Sequence, residues 1–216
     1  TNLEFMLDAK IENKASVTLF TSFNPGSGKS FLTMNTAATF AMKGKRILVI
    51  DGDLRRGSAS AYLGSQHKGL SDYLGKRESC LDALVQENPD IPGFFLLPAG
   101  TIPPNPTELL AEPLFKETIE QLRGHYDYIL IDCPPIDIVA DTQIIEKLAD
   151  RTVFVVRAGL LERDMLSELQ RMYDEKRFKN MALLLNGTEG GGNRYGYRYG
   201  YKYGYKYGYG SKNYYK

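Results

Sequence analysis

Five consecutive residues, Gly26-Ser27-Gly28-Lys29-Ser30, have the types and spacing of a loop that binds phosphate. They follow an apolar segment that predicts a strand and precede a pattern that predicts a helix, which is the context this motif requires. Backbone N–H groups of such a loop close around phosphate oxygens, Lys29 can reach the terminal phosphates, and the Ser30 hydroxyl can bind Mg²⁺. Position 23 is Phe where the strict motif has Gly, so the loop is a variant. The alternative is a glycine-rich turn with a solvated Lys.

Three acids stand at the ends of two other apolar segments. Asp51 and Asp53 follow residues 47–50, and Asp132 follows residues 128–131. Acids at the carboxyl ends of buried strands can hold a cation's water shell or accept a proton. Each alone would more often be a cap or turn residue, but with a phosphate loop the three indicate a nucleotide and Mg²⁺ site. We expect Asp51 and Asp53 to lie beside the loop if the first two strands are near neighbours.

The elements that must position these groups are visible as alternating apolar runs and helical patterns. The runs are apolar throughout, which is typical of strands covered on both faces, and the alternation predicts an open, doubly wound α/β fold with a mostly parallel sheet flanked by helices. The predicted strands are residues 17–21, 46–50, 94–97, 128–131, 152–156 and 182–185, and the predicted helices are residues 30–42, 82–86 with flanks, 107–123, 142–148 and 163–176.

Composition divides the 216 residues into a domain at 1–189 and a tail at 190–216. The tail holds six Lys or Arg and no acid, so it carries +6 and leaves −5 on the rest of a chain whose net charge is +1. Its tyrosines alternate with Gly, Arg or Lys, and because it has no aliphatic residue we expect it to be disordered. The 43% apolar content excludes collagen-like and wholly disordered classes. Two cysteines 53 positions apart are typical of reduced thiols in a cytosolic protein.

Taken together, the motifs resemble those of the bacterial tyrosine kinases that accompany capsule and exopolysaccharide synthesis. The resemblance covers nearly the whole chain, and the tyrosine-rich tail is part of it. Its other segments are SFNPGSGKS at 22–30, IDGDLRR at 50–56, GLSDYLG at 69–75, LPAG at 97–100, PNPTELL at 104–110 and DYILIDCPP at 127–135.

The resemblance implies a P-loop NTPase fold with a deviant Walker A loop, the cofactors ATP and Mg²⁺, and transfer of a phosphoryl group to tyrosine. It implies catalytic roles for Lys29, Asp51, Asp53 and Asp132, with Asp51 near the attacking hydroxyl, and Mg²⁺ contacts by Ser30, Asp53 and Asp132. The implied nucleotide-binding residues are Pro25, Gly26, Ser27, Gly28, Lys29, Ser30, Phe31 and Asn186, of which Asn186 would contact adenine. The implied phosphoacceptors are Tyr195, Tyr197, Tyr199, Tyr201, Tyr203, Tyr205, Tyr207, Tyr209, Tyr214 and Tyr215.

The resemblance also implies partners and a location. These are neighbouring copies that phosphorylate one another in trans, a membrane-spanning activator or upstream segment, and an opposing protein tyrosine phosphatase. The kinase domain would be cytoplasmic, at the inner face of the cell membrane in the full-length protein. The chain starts after the family's Glu-and-two-Arg assembly motif, so we expect this fragment to be mainly monomeric. Ser27 stands where relatives commonly carry Glu.

Several alternatives stay open from the residues alone. The main rival is a partitioning or division-type switch ATPase, but its signature Lys would stand at position 24, which is Asn. The tail is alternatively a low-complexity extension without chemistry, or a stacking platform for single-stranded nucleic acid, although the acidic body argues against a nucleic-acid partner. Arg55 and Arg56 either assist phosphate charge or pair with acids. Each added phosphate carries about −1.5 to −2, so phosphorylation is expected to repel the tail from the body.

Overall fold

The computed structural model describes residues 14–63, 68–136 and 140–188, and in these ranges seven strands form one sheet. The sheet order is β3-β4-β2-β5-β1-β6-β7, and all pairs are parallel except β3 with β4. The tail at 190–216, with its predicted disorder, lies outside the described residues. The strands are β1 Ser16–Thr21, β2 Ile47–Asp51, β3 Gln86–Glu87, β4 Phe94–Leu97, β5 Tyr128–Asp132, β6 Arg151–Arg157 and β7 Met181–Asn186.

Six α-helices accompany these strands in the described ranges. They are α1 Lys29–Ala41, α2 Leu70–Leu74, α3 Pro106–Ala111, α4 Pro113–Leu122, α5 Asp141–Glu146 and α6 Met165–Asp174, with 3₁₀ turns at Ser60–Leu63 and Asp82–Leu84. The predicted helix at 107–123 is two helices, because Pro113 forces Glu112 into an extended conformation (φ −63°, ψ 143°). The predicted helix at 82–86 is wrong: that segment is a 3₁₀ turn followed by the short antiparallel strand β3.

The mostly parallel sheet of the sequence prediction is confirmed, but its strand order differs from the simplest expectation. β1 and β2 are not neighbours, because β5 lies between them and pairs with both. Asp132, at the end of β5, therefore lies next to the strand that leads into the phosphate loop. Asp51 lies one strand further away, opposite Asp132 in the ladder.

Apolar side chains fill both faces of the sheet. Residues 47–50 of β2 have no exposed surface, as expected of a strand covered on both sides. Helix α1 packs on one face through Ala37 and Phe40, and α4 packs on the other through Phe115 and Ile119. Within the described residues no helix is long and apolar enough to cross a lipid bilayer.

A buried arginine ties three elements together at the amino end of the sheet. Arg123, at the end of α4, donates hydrogen bonds to the carbonyl oxygens of Ala15 and Leu148 and forms an ion pair with Asp150 at 2.6 Å. Asp150 also accepts a hydrogen bond from the N–H of Val17 in β1. Arg123 thus fixes the point where β1 enters the sheet.

Replacing Arg123 by Met should lower the free energy of unfolding by roughly 3 kcal/mol, because it leaves the largely buried Asp150 carboxylate without its counter-ion. Urea denaturation followed by circular dichroism measures this change. The matched control is Arg171→Met, which removes two ion pairs of an arginine whose side chain is 59% exposed; solvent screens such pairs, so this variant should lose much less stability than Arg123→Met. Equal losses in the two variants would contradict the role of Arg123.

Candidate active site

The phosphate loop joins the end of β1 to α1 and has the backbone conformation that its glycines permit. Gly26 and Gly28 have φ values of 76° and 94°, in the left-handed region that side chains rarely adopt. Gly28 is the N-cap of α1, so the helix begins at Lys29 and directs its N-terminus at the loop. A Cβ atom on Gly28 would overlap the side-chain amide of Asn186. Glycine is therefore required at position 28 by both conformation and space.

The carbonyl groups of the loop are held from the neighbouring strands β6 and β7. Arg157 Nη1 donates to the carbonyl oxygen of Gly26 at 2.8 Å, and Asn186 Nδ2 donates to that of Ser27 at 2.9 Å. Arg157 and Asn186 are directly opposite each other in the β6–β7 ladder. In the described part of the chain the N–H groups of Ser27 and Gly28 donate to no protein acceptor, which leaves them available for phosphate oxygens.

The two unusual residues of the loop have structural roles. Phe23, where the strict motif has Gly, is 2% exposed and packs edge-to-face on Phe154 with ring centroids 4.9 Å apart. Its ring anchors the start of the loop in the cluster beneath α6, which includes Leu169. Ser27, where the resemblance leads one to expect Glu, is buried and donates a hydrogen bond to the carbonyl oxygen of Asn24. Ser27 thus closes the loop internally and adds no charge.

Ser30 and Asp132 meet at the mouth of the loop. The Ser30 hydroxyl donates to Asp132 Oδ2 at 2.5 Å, while the other carboxylate oxygen, Oδ1, is buried with no hydrogen-bond partner. Burial raises the pKa of Asp132 to about 7; the charge of Asp51 adds to this shift, and the Ser30 hydrogen bond and Lys29 oppose it. An unpartnered carboxylate oxygen beside a hydroxyl and a phosphate loop fits a Mg²⁺ ion well.

Asp51 is the most enclosed acid of the site. It has no exposed surface, and its Oδ2 atom accepts hydrogen bonds from the N–H and the hydroxyl of Ser60 at 2.7 and 2.6 Å. Burial raises the pKa of Asp51 to about 6 despite these bonds, and the nearby charge of Asp53 adds to the increase. Asp51 is thus closer to a proton acceptor for neutral pH than an ordinary Asp, but Ser60 covers it.

Asp53 and Arg55 organise the loop that follows β2. Asp53 Oδ1 accepts hydrogen bonds from the N–H groups of Arg55 and Arg56 at 3.2 and 3.1 Å. The Arg55 guanidinium pairs with the fully buried Asp141 at 3.1 Å and donates to the Thr107 hydroxyl at 2.9 Å. Arg55 therefore pairs with an acid and ties this loop to α3 and α5. Arg56 is exposed and forms no ion pair with the described residues.

The structure gathers most of the residues that the sequence analysis selected. Asp51, Asp53 and Lys29 all lie close enough to Asp132 to shift its pKa, and Ser30 contacts it directly. Among the described residues no cluster of three or more His, Cys, Asp or Glu is suited to hold a metal, in keeping with Mg²⁺ sites that use one or two carboxylates with substrate phosphates. Pro25 and Phe31 are exposed at the loop.

Of the other predicted residues, Asn186 lies at the phosphate loop and not among these acids, and the tyrosines lie outside the described residues. Asn186 contacts the loop backbone and lies beside Gly28. All ten predicted phosphoacceptor tyrosines belong to residues 195–215, which the structure does not describe.

Three residues with roles at the site were not predicted as site residues. Arg157, Ser60 and Asp141 act on the phosphate loop, on Asp51 and on Arg55, respectively. The end of a predicted strand at residue 156 is the one sequence signal that could have pointed to Arg157. Ser60 and Asp141 lack such a signal because their contacts join residues that are 9 and 86 positions apart.

Comparison with known proteins links this site to one group. Residues 16–177 match the family model described as AAA domain. The chain is 34% identical to tyrosine-protein kinase YwqD of Bacillus subtilis, over 88% of this chain and 78% of that protein. It is 39% identical over 82% of its length to putative tyrosine-protein kinase AmsA of Erwinia amylovora, but spans only 23% of that protein.

Solved structures agree with these relatives. The kinase domain of Escherichia coli tyrosine kinase ETK is 32% identical, superposes with a TM-score of 0.77, and the match covers 92% of this chain and 76% of that domain. The septum site-determining protein MinD of Pyrococcus horikoshii, at 24% identity and a TM-score of 0.65 over 79% of this chain and 70% of that one, shares the fold alone.

Replacing Arg157 by Met should weaken ADP binding about three- to tenfold, because the hydrogen bond that orients the Gly26 carbonyl is lost. Met retains much of the apolar stem of Arg157. Fluorescence titration with labelled ADP and Mg²⁺ measures the affinity. Arg163→Met is the control, since it removes the same charge from an exposed position in the connection to α6. An unchanged affinity in the Arg157 variant would show that the loop does not depend on this bond.

In the absence of metal and nucleotide, the free energy of unfolding should fall as the pH rises from about 4 to about 7. The pKa of Asp132 is about 7 in the folded protein but near 4 in the unfolded chain. Between these two pH values the carboxyl of Asp132 is protonated in the folded state and ionised in the unfolded state, so raising the pH favours unfolding. Asp132→Asn should reduce the slope and make the protein more stable than wild type at pH 8. Urea titrations at several pH values test this, with the exposed Asp90→Asn as control. An unchanged slope in Asp132→Asn would refute it.

Proposed function

This chain belongs to the bacterial tyrosine-protein kinases, and we propose that it transfers the γ-phosphoryl group of ATP, with Mg²⁺, to tyrosines of a C-terminal tail. The acceptor tail belongs to a neighbouring copy, so the reaction is autophosphorylation in trans. Its role is the regulation of capsular or exopolysaccharide synthesis and export. The observation that carries the proposal is the Ser30–Asp132 pair at the phosphate loop, with the unpartnered Oδ1 of Asp132 directly beside it.

The residues around that pair divide the work of phosphoryl transfer. Phosphoryl transfer needs positioning and charge stabilisation more than covalent help from the protein. The loop N–H groups, the α1 N-terminus and Lys29 hold the phosphates, while Asn186 lies beside Gly28 where adenine contact is proposed. Ser30 and Asp132 hold Mg²⁺, directly or through water, and Asp53 completes that shell. When bound, Mg²⁺ neutralises charge on the phosphate oxygens.

Asp51 is assigned as the acceptor of the tyrosine proton. A tyrosine hydroxyl has a pKa of about 10 in water, and a carboxylate whose pKa is raised to about 6 accepts its proton more readily than an ordinary Asp. Because Ser60 covers Asp51 in the structure, the 3₁₀ turn at Ser60–Leu63 must shift to admit the hydroxyl. This requirement supports a need for an activator.

The partners and location follow from the same assignment. AmsA is more than four times as long as the segment matched here, which supports an upstream or separate membrane-spanning activator in the complete system. The kinase domain then works in the cytoplasm at the inner face of the membrane. A protein tyrosine phosphatase reverses the modification.

The rival function, a switch ATPase without kinase activity, has less support. Asn24 occupies the position of its signature Lys, and the carbonyl of Asn24 is used to accept hydrogen bonds from the Ser22 and Ser27 hydroxyls. The likeness to the MinD of Pyrococcus horikoshii is one of fold alone.

Incubation with Mg-ATP should add several phosphates to the chain, all between Tyr195 and Tyr215, as measured by intact-mass and peptide mass spectrometry. Lys29→Met and a chain ending at Gly190 should gain none, and Asp51→Asn should lose transfer far more than ATP binding. Mixing the two variants should place phosphate on the Lys29→Met tail, because the chain ending at Gly190 has the active site and lacks only the tail. An intact copy added to Lys29→Met should phosphorylate its tail.

Three outcomes would contradict the proposal or a part of it. Hydrolysis of ATP that depends on Lys29, with no phosphate on protein even when an activator segment is restored, would favour the switch ATPase. Equal losses of ATP binding and transfer in Asp51→Asn would reassign Asp51 to the metal. Phosphate on an intact copy but never on the Lys29→Met copy would refute transfer in trans.

A further inference from the structure

Strand β7, Met181–Asn186, forms one margin of the sheet in the described part of the chain. It pairs with β6 over its full length, and within the described residues no strand pairs with its other side. Such a margin presents a row of N–H and C=O groups that can accept a further strand. Proteins usually protect these margins with charged residues or proline, but β7 has the sequence MALLLN and contains neither.

One face of β7 is also apolar and exposed. Leu183 and Leu185 alternate along the strand on the same face, and each is 61% exposed. Leu184 points to the other face and packs against the cluster that contains Phe40. An unprotected margin that also carries two exposed leucines is a surface suited to a partner strand with apolar side chains at every second position.

The tail has this pattern. From residue 195 to 209 a tyrosine occurs at every second position, and Gly, Arg or Lys fills the positions between. In an extended strand all eight of these tyrosines lie on one face, because side chains alternate with a period of two. Tyrosine favours strands and pairs well with apolar residues across a ladder. The tail lacks a core of its own, and β7 offers the apolar surface that it lacks.

The chain connection favours β7 over any other margin. β7 ends at Asn186, and residues 187–194 are all that separate it from the first tyrosine of the tail. Gly187 has a φ of 66° and lies against the side chain of Arg157, so the chain already turns as it leaves β7. Gly190, Gly191 and Gly192 give the connection the freedom that a hairpin loop needs. A link this short keeps the tail at high effective concentration near β7.

We infer that the unmodified tail adds to β7 as an antiparallel strand within the same chain, with its tyrosine rings over Leu183 and Leu185. A shift of the tail by two residues keeps every tyrosine on the same face and only exchanges Gly with Arg or Lys at the positions between. The tail therefore exchanges among equivalent registers, and each register covers a few tyrosines while the rest stay free.

This pairing would regulate the proposed kinase reaction, and that part of the inference rests on the proposed function. Each phosphate adds about −1.5 to −2 of charge, which is costly to place over two leucines. A modified tail therefore leaves β7, whereas an unmodified tail occupies it. A tyrosine docked on β7 is inaccessible to neighbouring copies. It becomes accessible when the tail shifts to another register or when phosphorylation of other tyrosines releases the tail.

Hydrogen–deuterium exchange of β7 without ATP tests the docking independently of any kinase activity. Peptides covering residues 181–188 should exchange about tenfold more slowly in the full chain than in a chain ending at Thr188. The slower exchange should be the same at low and high protein concentration. No difference between the two chains would overturn the inference, and slower exchange only at high concentration would assign the strand to a neighbouring copy instead.

Two matched comparisons separate strand pairing from simple attraction. A tail with the composition of residues 195–209 but with its tyrosines grouped should lose the slower exchange, although its charge is unchanged. Leu183→Thr with Leu185→Thr should lose it too, while Met42→Thr with Ile102→Thr, which alters apolar side chains elsewhere that are at least as exposed, should keep it. A grouped tail that protects β7 as well as the native tail would refute the pairing.

The final comparison of the experiment uses the phosphorylated chain. After incubation with Mg-ATP, β7 should exchange as fast as in the chain ending at Thr188. If mass spectrometry shows phosphate on the tail while β7 stays slow, the release step is refuted. If no phosphate appears, the proposed function fails, while the comparison made without ATP still decides the docking.

Discussion

The position of β5 between β1 and β2 is the constraint on which the site depends. Parallel pairing with β1 brings Asp132 to the end of the strand that leads into the phosphate loop, where Ser30 reaches it. Parallel pairing with β2 sets Asp51 opposite Asp132 in the same ladder. One central strand therefore decides both which acid meets the loop and which acid stands behind it. If β2 were next to β1, Asp51 would be in the position of Asp132.

The same arrangement places two carboxylates in a largely apolar interior, and it does so against their preference for water. Burial raises the pKa of both Asp51 and Asp132; the charge of Asp53 adds to the increase at Asp51, and the charges of Asp51 and Asp53 add to that at Asp132. Such groups reduce the stability of the empty protein at neutral pH. The two acids differ in how far hydrogen bonds offset the cost of burial. Ser60 donates two hydrogen bonds to Asp51, whereas one oxygen of Asp132 has no partner.

The opposite side of the phosphate loop depends on β6 and β7. Arg157 and Asn186 hold two successive loop carbonyls, and Phe23 packs beneath α6. Because Gly187 follows Asn186 and contacts Arg157, the connection to the tail starts at the residues that hold the loop. If the tail docks on β7 as inferred, a change in that docking would act close to the phosphate loop.

Local patterns in the sequence determined six of the seven described strands, the phosphate loop and the acids at the strand ends. Apolar runs predict these six strands, whereas the polar strand β3 was predicted as helix; the positive φ values of Gly26 and Gly28 belong to the loop motif itself. The tertiary structure alone decided the strand order, and with it the difference between Asp132, which meets Ser30, and Asp51, which Ser60 covers. It also decided that Arg55 pairs with Asp141 and that Arg157 holds Gly26, 131 positions away. Periodicity reports the surroundings of a residue along the chain, whereas these contacts depend on which strands lie side by side.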